Sequence, residues 1–237
     1  MRPLSFSILF ISILFGCQSQ TSQVVQLKAS EFKQKFEQEG GILLDVRTPQ
    51  EVSSGRLEDA STIDFYDSDF KKKLDKIQKD KSVFVYCKSG GRSAKAASML
   101  VELGVGKVYN LKGGVMAWKR AGLPLVEDLG TSKSQLPKTT VEDLQRHLSQ
   151  EENVLVYFHT QWCVPCRKLA PIIDNIEQTK EGALSIVKVD IDQSESCADF
   201  WQIGAVPTLI LFQNDKEVWR HTGFIDHEQL LSKLSLW

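Results

Sequence analysis

The sequence is poor in cysteine, has no excess of charge of either sign, and lacks a hydrophobic run long enough to span a bilayer. It has 29 lysine and arginine residues against 30 aspartate and glutamate residues, so the formal net charge is −1. This balance argues against a nucleic-acid partner, because such partners attract clustered positive charge. Five cysteines in 237 residues are too few for a disulfide-rich scaffold. The length suits two domains of about 100 residues each.

The amino terminus has a basic start followed by a short apolar core. The core covers Leu4–Phe15 and is shorter than the roughly 20 residues of a membrane-spanning helix. This arrangement is typical of a secretory signal. The core runs into a glycine and Cys17, then into a polar stretch, which resembles the lipobox of bacterial lipoproteins. The resemblance implies a signal peptide at 1–16, lipidation of Cys17 and a polar tether at 17–23.

A lipid anchor would hold the chain at a membrane, because several acyl chains on one cysteine bury many methylene groups. The chain would then face the periplasm or the outside. Gln18 stands where an aspartate often retains lipoproteins in the inner membrane, so the outer membrane is slightly favoured. Phe15 departs from the small residue usual at its position. An ordinary cleaved signal with a chance cysteine remains the alternative.

The second half of the chain is organised around Trp162-Cys163-Val164-Pro165-Cys166. An apolar run, Val154–Phe158, precedes this motif and a helix-like run, 167–178, follows it, which predicts a strand, a turn and a helix. Cys163 would begin the helix, where unpaired N–H groups and the helix dipole favour a thiolate. Cys166 is close enough to form a disulfide with it. The pair therefore predicts reversible disulfide exchange.

A metal half-site is the alternative, because Cys-x-x-Cys also binds zinc or copper. A zinc site would need a second pair of ligands, and the sequence has neither a second Cys-x-x-Cys nor a His-x-x-x-His. We therefore predict redox chemistry, with no metal and no cofactor. A Cu(I) chaperone that binds the metal at Cys163 and Cys166 remains open.

The cysteine motif, together with Val206-Pro207-Thr208 ahead of an apolar strand, resembles the thioredoxin superfamily over 137–237. The resemblance implies that Pro207 is cis and faces the disulfide. It also implies that the backbone beside Pro207 pairs with a bound extended peptide. The implied substrate contacts are Trp162, Pro165, Val206 and Pro207, although Trp162 could equally be a packing lid.

Two residues depart from the thioredoxin pattern. Tyr157 stands where the family has a buried aspartate that helps to deprotonate the second cysteine, and Val164 replaces the commoner glycine. His159 lies near Cys163 in sequence and could tune its pKa, or could simply be an exposed residue at a strand end. Cys197 falls in a helix-like run and is interpreted as a half-buried structural residue, with a regulatory thiol as the alternative.

The first half of the chain, 24–122, alternates short apolar strands with helical runs, which predicts a parallel α/β sheet. Ligands of such sheets bind at the carboxyl ends of the strands. Cys87 follows the predicted strand Ser82–Tyr86 and begins a glycine-containing loop that leads into a helix. Backbone N–H groups and nearby cations favour a partly ionised Cys87 thiol. The other residues of this predicted binding loop are Lys88, Ser89, Gly90, Gly91, Arg92 and Ser93.

This loop, with 44–49 and 110–115 leading to Trp118, resembles the three ordered motifs of the rhodanese family. The resemblance implies that Cys87 takes a sulfane sulfur from an anionic donor, becomes a persulfide and passes the sulfur to a nucleophile. Four residues separate Cys87 from Arg92. Phosphatase relatives have one more loop residue, so phosphatase activity is not our first choice. A buried structural cysteine is the alternative for Cys87.

Several local predictions accompany the motifs of the first half. Asp45 and Arg47 are interpreted as a structural ion pair near the site. Ser30 is predicted to cap the first helix, and the lysine run within Phe70–Ile77 to be a solvated helix face. Arg56 replaces the histidine usual in rhodaneses, at a position that mainly shapes the edge of the fold.

The second half carries local predictions of its own. We expect Ser185–Asp190 to be a central strand, and Pro171 to kink the helix that follows Cys166. A hairpin is predicted around the polar turn at 213–216. Asp226 is predicted to cap the last helix.

Together these patterns predict an α/β protein of two domains: a rhodanese-like parallel sheet at 24–122, a linker at 123–136 and a thioredoxin fold at 137–237. We expect a membrane-anchored envelope thiol-disulfide oxidoreductase with sulfurtransferase activity. Its partners would be protein disulfides or persulfides and small sulfane-sulfur donors such as thiosulfate. A relay could pass sulfur from Cys87 to the Cys163/Cys166 dithiol. The alternatives are a reductase of exported proteins whose rhodanese-like half is a docking module, and a Cu(I) metallochaperone.

Overall fold

The computed structural model describes residues 23–127, 136–180 and 182–234. The predicted signal peptide, the predicted lipidation at Cys17 and most of the predicted linker lie outside these residues. Within the three ranges, no helix combines the length and the apolar character that crossing a membrane would require.

The first domain has a five-stranded sheet in the order β1-β5-β4-β2-β3, and all of its pairs are parallel. Parallel neighbours need crossover connections, and the helices supply them. The elements in chain order are β1 Gln23–Leu27, α1 Ala29–Glu39, β2 Ile42–Asp45, α2 Pro49–Val52, β3 Ser61–Thr62, α3 Phe70–Asp75, β4 Val83–Tyr86, α4 Gly91–Glu102, β5 Lys107–Leu111 and α5 Gly114–Arg120.

Strand β4 is buried along its whole length because both faces of the sheet are covered. Side chains alternate between the two faces of a strand. Phe84 and Tyr86 lie in an apolar cluster with Phe32 and Trp118, from α1 and α5. The two valines of β4 belong to a second cluster, which also contains side chains of α3 and α4. The two clusters, one on each face of β4, hold the carboxyl end of the strand in a fixed place. Cys87, the next residue, is held with it.

The second domain has a four-stranded mixed sheet in the order β7-β6-β8-β9, with β6 parallel to β7 and antiparallel to β8. The predicted α/β class, a parallel sheet followed by a second α/β domain, is therefore confirmed. The elements are α6 Val141–Gln150, β6 Asn153–His159, α7 Val164–Thr179, β7 Ser185–Asp190, α8 Glu195–Phe200, β8 Thr208–Gln213, β9 Lys216–Thr222 and α9 His227–Leu234.

Two local predictions about these elements are wrong. Strand β7, predicted to be central, lies at the edge of the described sheet, and four of its six residues are only half-buried.

Ser30 does not cap α1, which begins one residue earlier, at Ala29. Lys28 is the capping position, and its backbone N–H donates to the carboxylate of Glu31 at 2.9 Å. A carboxylate at this position can satisfy an N–H group that the helix leaves unpaired.

Two other local predictions are confirmed. Asn214 and Asp215 both have positive φ and join β8 to β9, as the mirror-image turn of a tight hairpin requires. The Asp226 carboxylate accepts the backbone N–H of Gln229 at 2.8 Å and caps α9. Pro171 lies inside α7, which continues past it to Thr179.

The two domains pack directly against each other. One apolar cluster contains Leu74 and Ile77 of the first domain together with Trp162 and Val206 of the second. The predicted solvated lysine face is confirmed, because Lys71 and Lys72 are exposed. Lys72 also pairs with Glu195 of the second domain at 3.0 Å, and both of these side chains remain exposed.

Candidate functional site

The two cysteines of the second domain form a disulfide at the start of α7. The S–S distance between Cys163 and Cys166 is 2.12 Å and their Cα atoms are 5.2 Å apart. Cys163 is the N-cap of α7, and its sulfur accepts the backbone N–H of Cys166 at 3.1 Å. The predicted pairing is therefore confirmed. After reduction the same N–H group and the helix dipole would stabilise a thiolate on Cys163.

The Val206–Pro207 peptide bond is cis, as the sequence resemblance implied. The backbone of Val206 is not free to bind a substrate, however, because the first domain occupies it. Its N–H donates to the carbonyl of Lys76 at 3.0 Å, and its carbonyl accepts the side-chain amide of Gln78 at 3.4 Å. Both polar backbone groups beside the cis bond therefore have partners in the loop that precedes β4.

Strand β3 of the first domain contacts the other side of the disulfide. The backbone N–H of Thr62 donates to the carbonyl of Trp162 at 3.3 Å, and the hydroxyl of Ser61 accepts the backbone N–H of Val164 at 3.1 Å. Cys163 is 2% exposed. The candidate nucleophile is therefore enclosed by the first domain as well as by its own fold.

Tyr157, at the position of the family's buried aspartate, lies behind Cys166. Its hydroxyl donates to the backbone carbonyl of Cys166 at 2.8 Å. Tyr157 stacks on His159, with ring centroids 4.9 Å apart, and both line a cavity of about 130 Å³ with Cys166 and Lys188. The sequence-based alternative of an exposed His159 is wrong, because the residue is buried and faces this cavity.

Burial lowers the pKa of His159 more than the attraction of Asp190 raises it, so the imidazole is neutral at pH 7. Lys188, whose ammonium could otherwise act on Cys166, pairs with Asp174 and Glu177 at 2.7 Å each. The cavity behind Cys166 is therefore lined by a neutral imidazole, an ammonium paired with two carboxylates, and the guanidinium of Arg167, which donates to the carbonyl of Gln161 at 3.0 Å.

The thiol of Cys87 lies in the loop between β4 and α4. The backbone N–H of Gly90 donates to its sulfur at 3.1 Å, and the hydroxyl of Ser93 donates at 3.4 Å. Burial alone would raise the pKa of Cys87, but the hydrogen bonds from Ser93, Ser89 and Gly90 together outweigh it, so the pKa is lowered. Sulfur held by several N–H groups is suited to carrying negative charge.

The start of α5 supports this loop through backbone hydrogen bonds. The backbone N–H of Val115 donates to the carbonyl of Cys87 at 2.8 Å, and that of Met116 donates to the carbonyl of Lys88 at 3.1 Å. Gly114 permits the contact, because a Cβ there would lie 2.3 Å from the carbonyl oxygen of Cys87. The motif at 110–115 therefore positions the reactive loop.

Arg92 is paired with Glu51, a residue that sequence reasoning did not identify. The guanidinium and carboxylate share bonds of 2.7 and 2.8 Å, and these bonds lower the pKa of Glu51 to about 2. Arg92 also lies over the ring of Tyr66, which is 70% exposed, at 5.5 Å. A charged, partly exposed rim therefore borders the Cys87 loop.

Asp45 and Arg47 form a buried ion pair, as predicted. Arg47 donates to both carboxylate oxygens of Asp45 and to the backbone carbonyls of Glu51 and Gly55. These bonds fix the segment that carries Glu51 relative to β2. The pair therefore supports the Cys87 site without touching the sulfur.

The two sulfur sites are separate in this structure. Tyr86 is paired in register with Asp45, and Asp45 with Thr62, so two strand spacings of about 5 Å each separate Tyr86 from Thr62. Cys87 follows Tyr86, and Cys163 follows Trp162, which contacts Thr62. The hydrogen bond from Thr62 to Trp162 adds a third spacing, so the backbones of the two cysteines are on the order of 15 Å apart, too far for direct sulfur transfer.

Sequence reasoning missed the residues that join the domains. Ser61, Lys76 and Gln78 carry no motif, and each bonds to a backbone group of the second domain. The lysine-rich character of α3 was the available signal, and it was interpreted as solvation. Within the described ranges, no group of three or more His, Cys, Asp or Glu side chains is placed to hold a metal ion.

Comparison with known proteins divides the chain into the same two parts. The thioredoxin family matches residues 135–235, and the rhodanese-like domain family matches residues 28–121. A sulfurtransferase of Allochromatium vinosum is 40% identical over 89 residues, which are 38% of this chain and 81% of that protein.

Two thioredoxins illustrate the similarity of the second part. The thioredoxin of Mycoplasmoides gallisepticum is 36% identical over 92 residues, which are 39% of this chain and 91% of that protein. A thioredoxin of Synechocystis sp. is 37% identical over 87 residues, which are 37% of this chain and 81% of that protein. Each of these three relatives matches one domain of the chain.

Proposed function

The chain belongs to the rhodanese-like family over 28–121 and to the thioredoxin family over 135–235, and on this premise we propose that it relays sulfane sulfur from Cys87 to the Cys163/Cys166 dithiol. It is an enzyme with a thioredoxin-like oxidoreductase domain and a rhodanese sulfurtransferase domain. The observation that carries the proposal is that each candidate nucleophile accepts a backbone N–H bond at the start of a helix, from Gly90 for Cys87 and from Cys166 for Cys163.

The first step loads the sulfur. The Cys87 thiolate attacks the outer sulfur of thiosulfate, a new S–S bond forms on Cys87, and the S–S bond of thiosulfate breaks with its electron pair leaving on sulfite. The backbone N–H of Gly90 and the hydroxyl of Ser93 then donate hydrogen bonds to the Cys87 sulfur or to the terminal sulfur anion of the persulfide. Thiosulfate stands here for small anionic donors in general.

The second step unloads the sulfur. The Cys163 thiolate attacks the terminal sulfur of the Cys87 persulfide and releases Cys87 as a thiolate. Cys166 then attacks the Cys163 sulfur, the Cys163–Cys166 disulfide forms, and hydrosulfide leaves with the transferred sulfur. The dithiol loses two electrons and the sulfane sulfur gains them, so each cycle needs an outside dithiol, or two outside thiols, to reduce the disulfide again.

The separation of the sulfurs sets a condition on the relay. Because Cys87 and Cys163 are on the order of 15 Å apart in the closed arrangement, the domains must move before transfer. The linker predicted at 123–136 tethers the two sites, which raises their effective concentration only if the open form lets them meet.

Mass spectrometry after thiosulfate treatment tests the relay. The prereduced protein is desalted, and the mass of Cys87 peptides is followed for an addition of about 32 Da, one sulfur atom. We expect the adduct to disappear in the wild type as the Cys163–Cys166 disulfide forms, and to persist in Cys163→Ser. Persistence in both proteins, or equal loss from both, would contradict the relay.

A second function is favoured by one observation, the contact of β3 with the disulfide segment. In this alternative the thioredoxin domain reduces exported proteins and the rhodanese-like domain is a docking module without sulfur transfer. Cys87→Ser would then reduce insulin as fast as the wild type, and neither protein would transfer sulfur from thiosulfate to cyanide.

We also propose that the enzyme acts in the cell envelope, anchored by lipid at Cys17. The support is the lipobox-like sequence that ends at Cys17. Metabolic labelling with a fatty acid should mark the wild type and leave Cys17→Ser unlabelled. Equal labelling of both proteins, or of neither, would contradict lipidation at Cys17.

A further inference from the structure

The first domain lies where a substrate of the second domain would have to bind. We propose that the rhodanese-like domain occupies the peptide groove of the thioredoxin domain as an internal cap, so that protein disulfides reach Cys163 only after the two domains separate. This inference rests on the proposed exchange at Cys163 and adds its regulation.

The strongest contact is the one at Val206. An extended substrate would use the N–H and carbonyl groups of this residue, which lie directly beside Pro207. In this structure the N–H donates to the carbonyl of Lys76, and the carbonyl accepts from Gln78. The loop that follows α3 therefore makes, from within the same chain, the hydrogen bonds that a bound peptide would make.

Strand β3 closes the opposite side. It is an edge strand of only two residues, and its outer backbone N–H, at Thr62, would be unpaired without a partner. That group donates to the carbonyl of Trp162, while the Ser61 hydroxyl accepts from Val164. The segment carrying Cys163 therefore lies between two segments of the first domain.

Gly223 lies beside Gln78 where it enters the groove. A Cβ at this position would lie 3.0 Å from the side-chain oxygen of Gln78, and the residue has φ of +108°. The Gly223 N–H donates to the carbonyl of Pro207 at 2.8 Å. A side chain at Gly223 would therefore require the amide of Gln78 to shift slightly.

The interface has the composition of a reversible contact. Its centre is apolar, with Ile77 and Leu74 in one cluster with Val206 and Trp162. Its rim carries exposed ion pairs, Lys72–Glu195 at 3.0 Å and Lys168–Asp59 at 2.6 Å. An apolar centre with a polar rim is typical of interfaces between separately folded partners.

Closure has a direct chemical consequence. Disulfide exchange needs the attacking thiolate to reach a substrate sulfur, and Cys163 is 2% exposed. A protein disulfide cannot approach a sulfur enclosed in this way. The observed rate of exchange is therefore proportional to the fraction of molecules in the open arrangement.

The test uses full-length variants in which a long charged side chain replaces an interface residue. Ser61→Arg places it at β3, and Gln78→Arg places it independently at the loop before β4. Ser98→Arg makes the same chemical change at an exposed residue of α4 and is the matched control. Circular dichroism and a urea unfolding curve report that each protein is folded.

Two rates are measured for each protein: insulin reduction with dithiothreitol as electron source, and alkylation of Cys163 by iodoacetamide after reduction. We expect both rates to rise about tenfold in Ser61→Arg and Gln78→Arg, because opening the interface raises the reactive fraction. Ser98→Arg should react at the wild-type rate.

Wild-type rates in both folded interface variants would overturn the cap. An alkylation rate that rises while no protein reduces insulin would support the cap and contradict disulfide exchange with protein substrates. Hydrogen exchange gives an independent readout: the amides of Thr62, Val164 and Val206 should be protected in the wild type and exposed in the variants. Equal protection in all proteins would also overturn the cap.

Discussion

At the scale of single residues, the reactivity of Cys87 depends on a balance between burial and hydrogen bonding. Burial favours the neutral thiol and is the largest single influence on its pKa, whereas Ser93 and the backbone amides of the loop favour the thiolate. Among these hydrogen bonds to the sulfur, the one from the Ser93 hydroxyl comes from a side chain. The residue is fully buried, so water does not replace it easily.

We therefore predict that Ser93→Ala raises the pKa of Cys87 and slows its alkylation at pH 7. A slowing of about threefold to tenfold corresponds to roughly 1 kcal/mol, the net contribution of one ordinary hydrogen bond. The pH dependence of the iodoacetamide rate measures the pKa directly. Ser98→Ala, an exposed position in the same helix, is the control and should leave the curve unchanged. An unshifted curve in Ser93→Ala would contradict the role of the hydroxyl.

His159 provides a second prediction at this scale. Its pKa is lowered mainly by burial, with Asp190 opposing and Lys188 adding to the shift. The unfolded chain therefore binds a proton more readily than the folded chain. The contribution of His159 to the free energy of unfolding is complete above the ordinary histidine pKa of about 6.5. It declines as the pH falls through and below that value.

We expect the urea midpoint of the second domain to fall between pH 7.5 and pH 5.5, and to fall less in His159→Gln. The reason is that the variant removes the group whose protonation favours unfolding. His221→Gln, at a half-exposed histidine, is the control. The same pH dependence in His159→Gln and wild type would show that another group is responsible.

At the scale of elements, the beginning of α5 and the Cys87 loop form one unit. Two N–H groups of α5 bind the carbonyls of Cys87 and Lys88, and Gly114 lies where a side chain would collide with both. The glycine also has a positive φ of 58°. Its role is therefore both conformational and steric.

We predict that Gly114→Ala lowers the free energy of unfolding by about 2–4 kcal/mol, from the positive φ and the collision together. Gly122→Ala is the matched control, because Gly122 has a φ of +69° and a Cβ added there would meet no atom within 4 Å. It should cost about 1–2 kcal/mol from the backbone alone. Urea denaturation measures both. Equal losses would mean that the loop moves aside and the collision is unimportant.

At the scale of the whole molecule, apolar contact and hydrogen bonds dominate domain closure, with charge as a minor contribution. The ion pairs Lys72–Glu195 and Lys168–Asp59 are exposed, and exposed pairs contribute about 0–1 kcal/mol each. The contacts at Val206 and Trp162 are buried and depend little on salt.

We therefore predict a weak salt dependence. Raising the ionic strength from about 0.05 M to about 1 M should speed the alkylation of reduced Cys163 by less than about tenfold, because only the exposed pairs are screened. The rate with free glutathione corrects for the effect of salt on the reagent. A rise of a hundredfold or more would mean that charge, and not the buried contacts, holds the domains together.

The predictions that succeeded depend on neighbouring residues. The strand Val83–Tyr86 followed by a glycine loop, and the Cys163–Cys166 pair at a helix start, are encoded within a few positions each. The failures concern position in the assembled sheet. Strand β7 has a hydrophobic sequence but lies at an edge, because strand order depends on which neighbours pair and not on the strand's own composition.

The sequence by itself determined the two α/β domains, the disulfide and the thiol loop, because hydrophobic period, glycine placement and cysteine spacing act locally. Only the tertiary structure decided that the domains close over Cys163 and that Cys87 lies apart from it. Gln78 and Val206 are 128 positions apart in the chain. The neighbouring contact of Lys76 uses its carbonyl, a group that every residue has, so no pattern of side chains could reveal it.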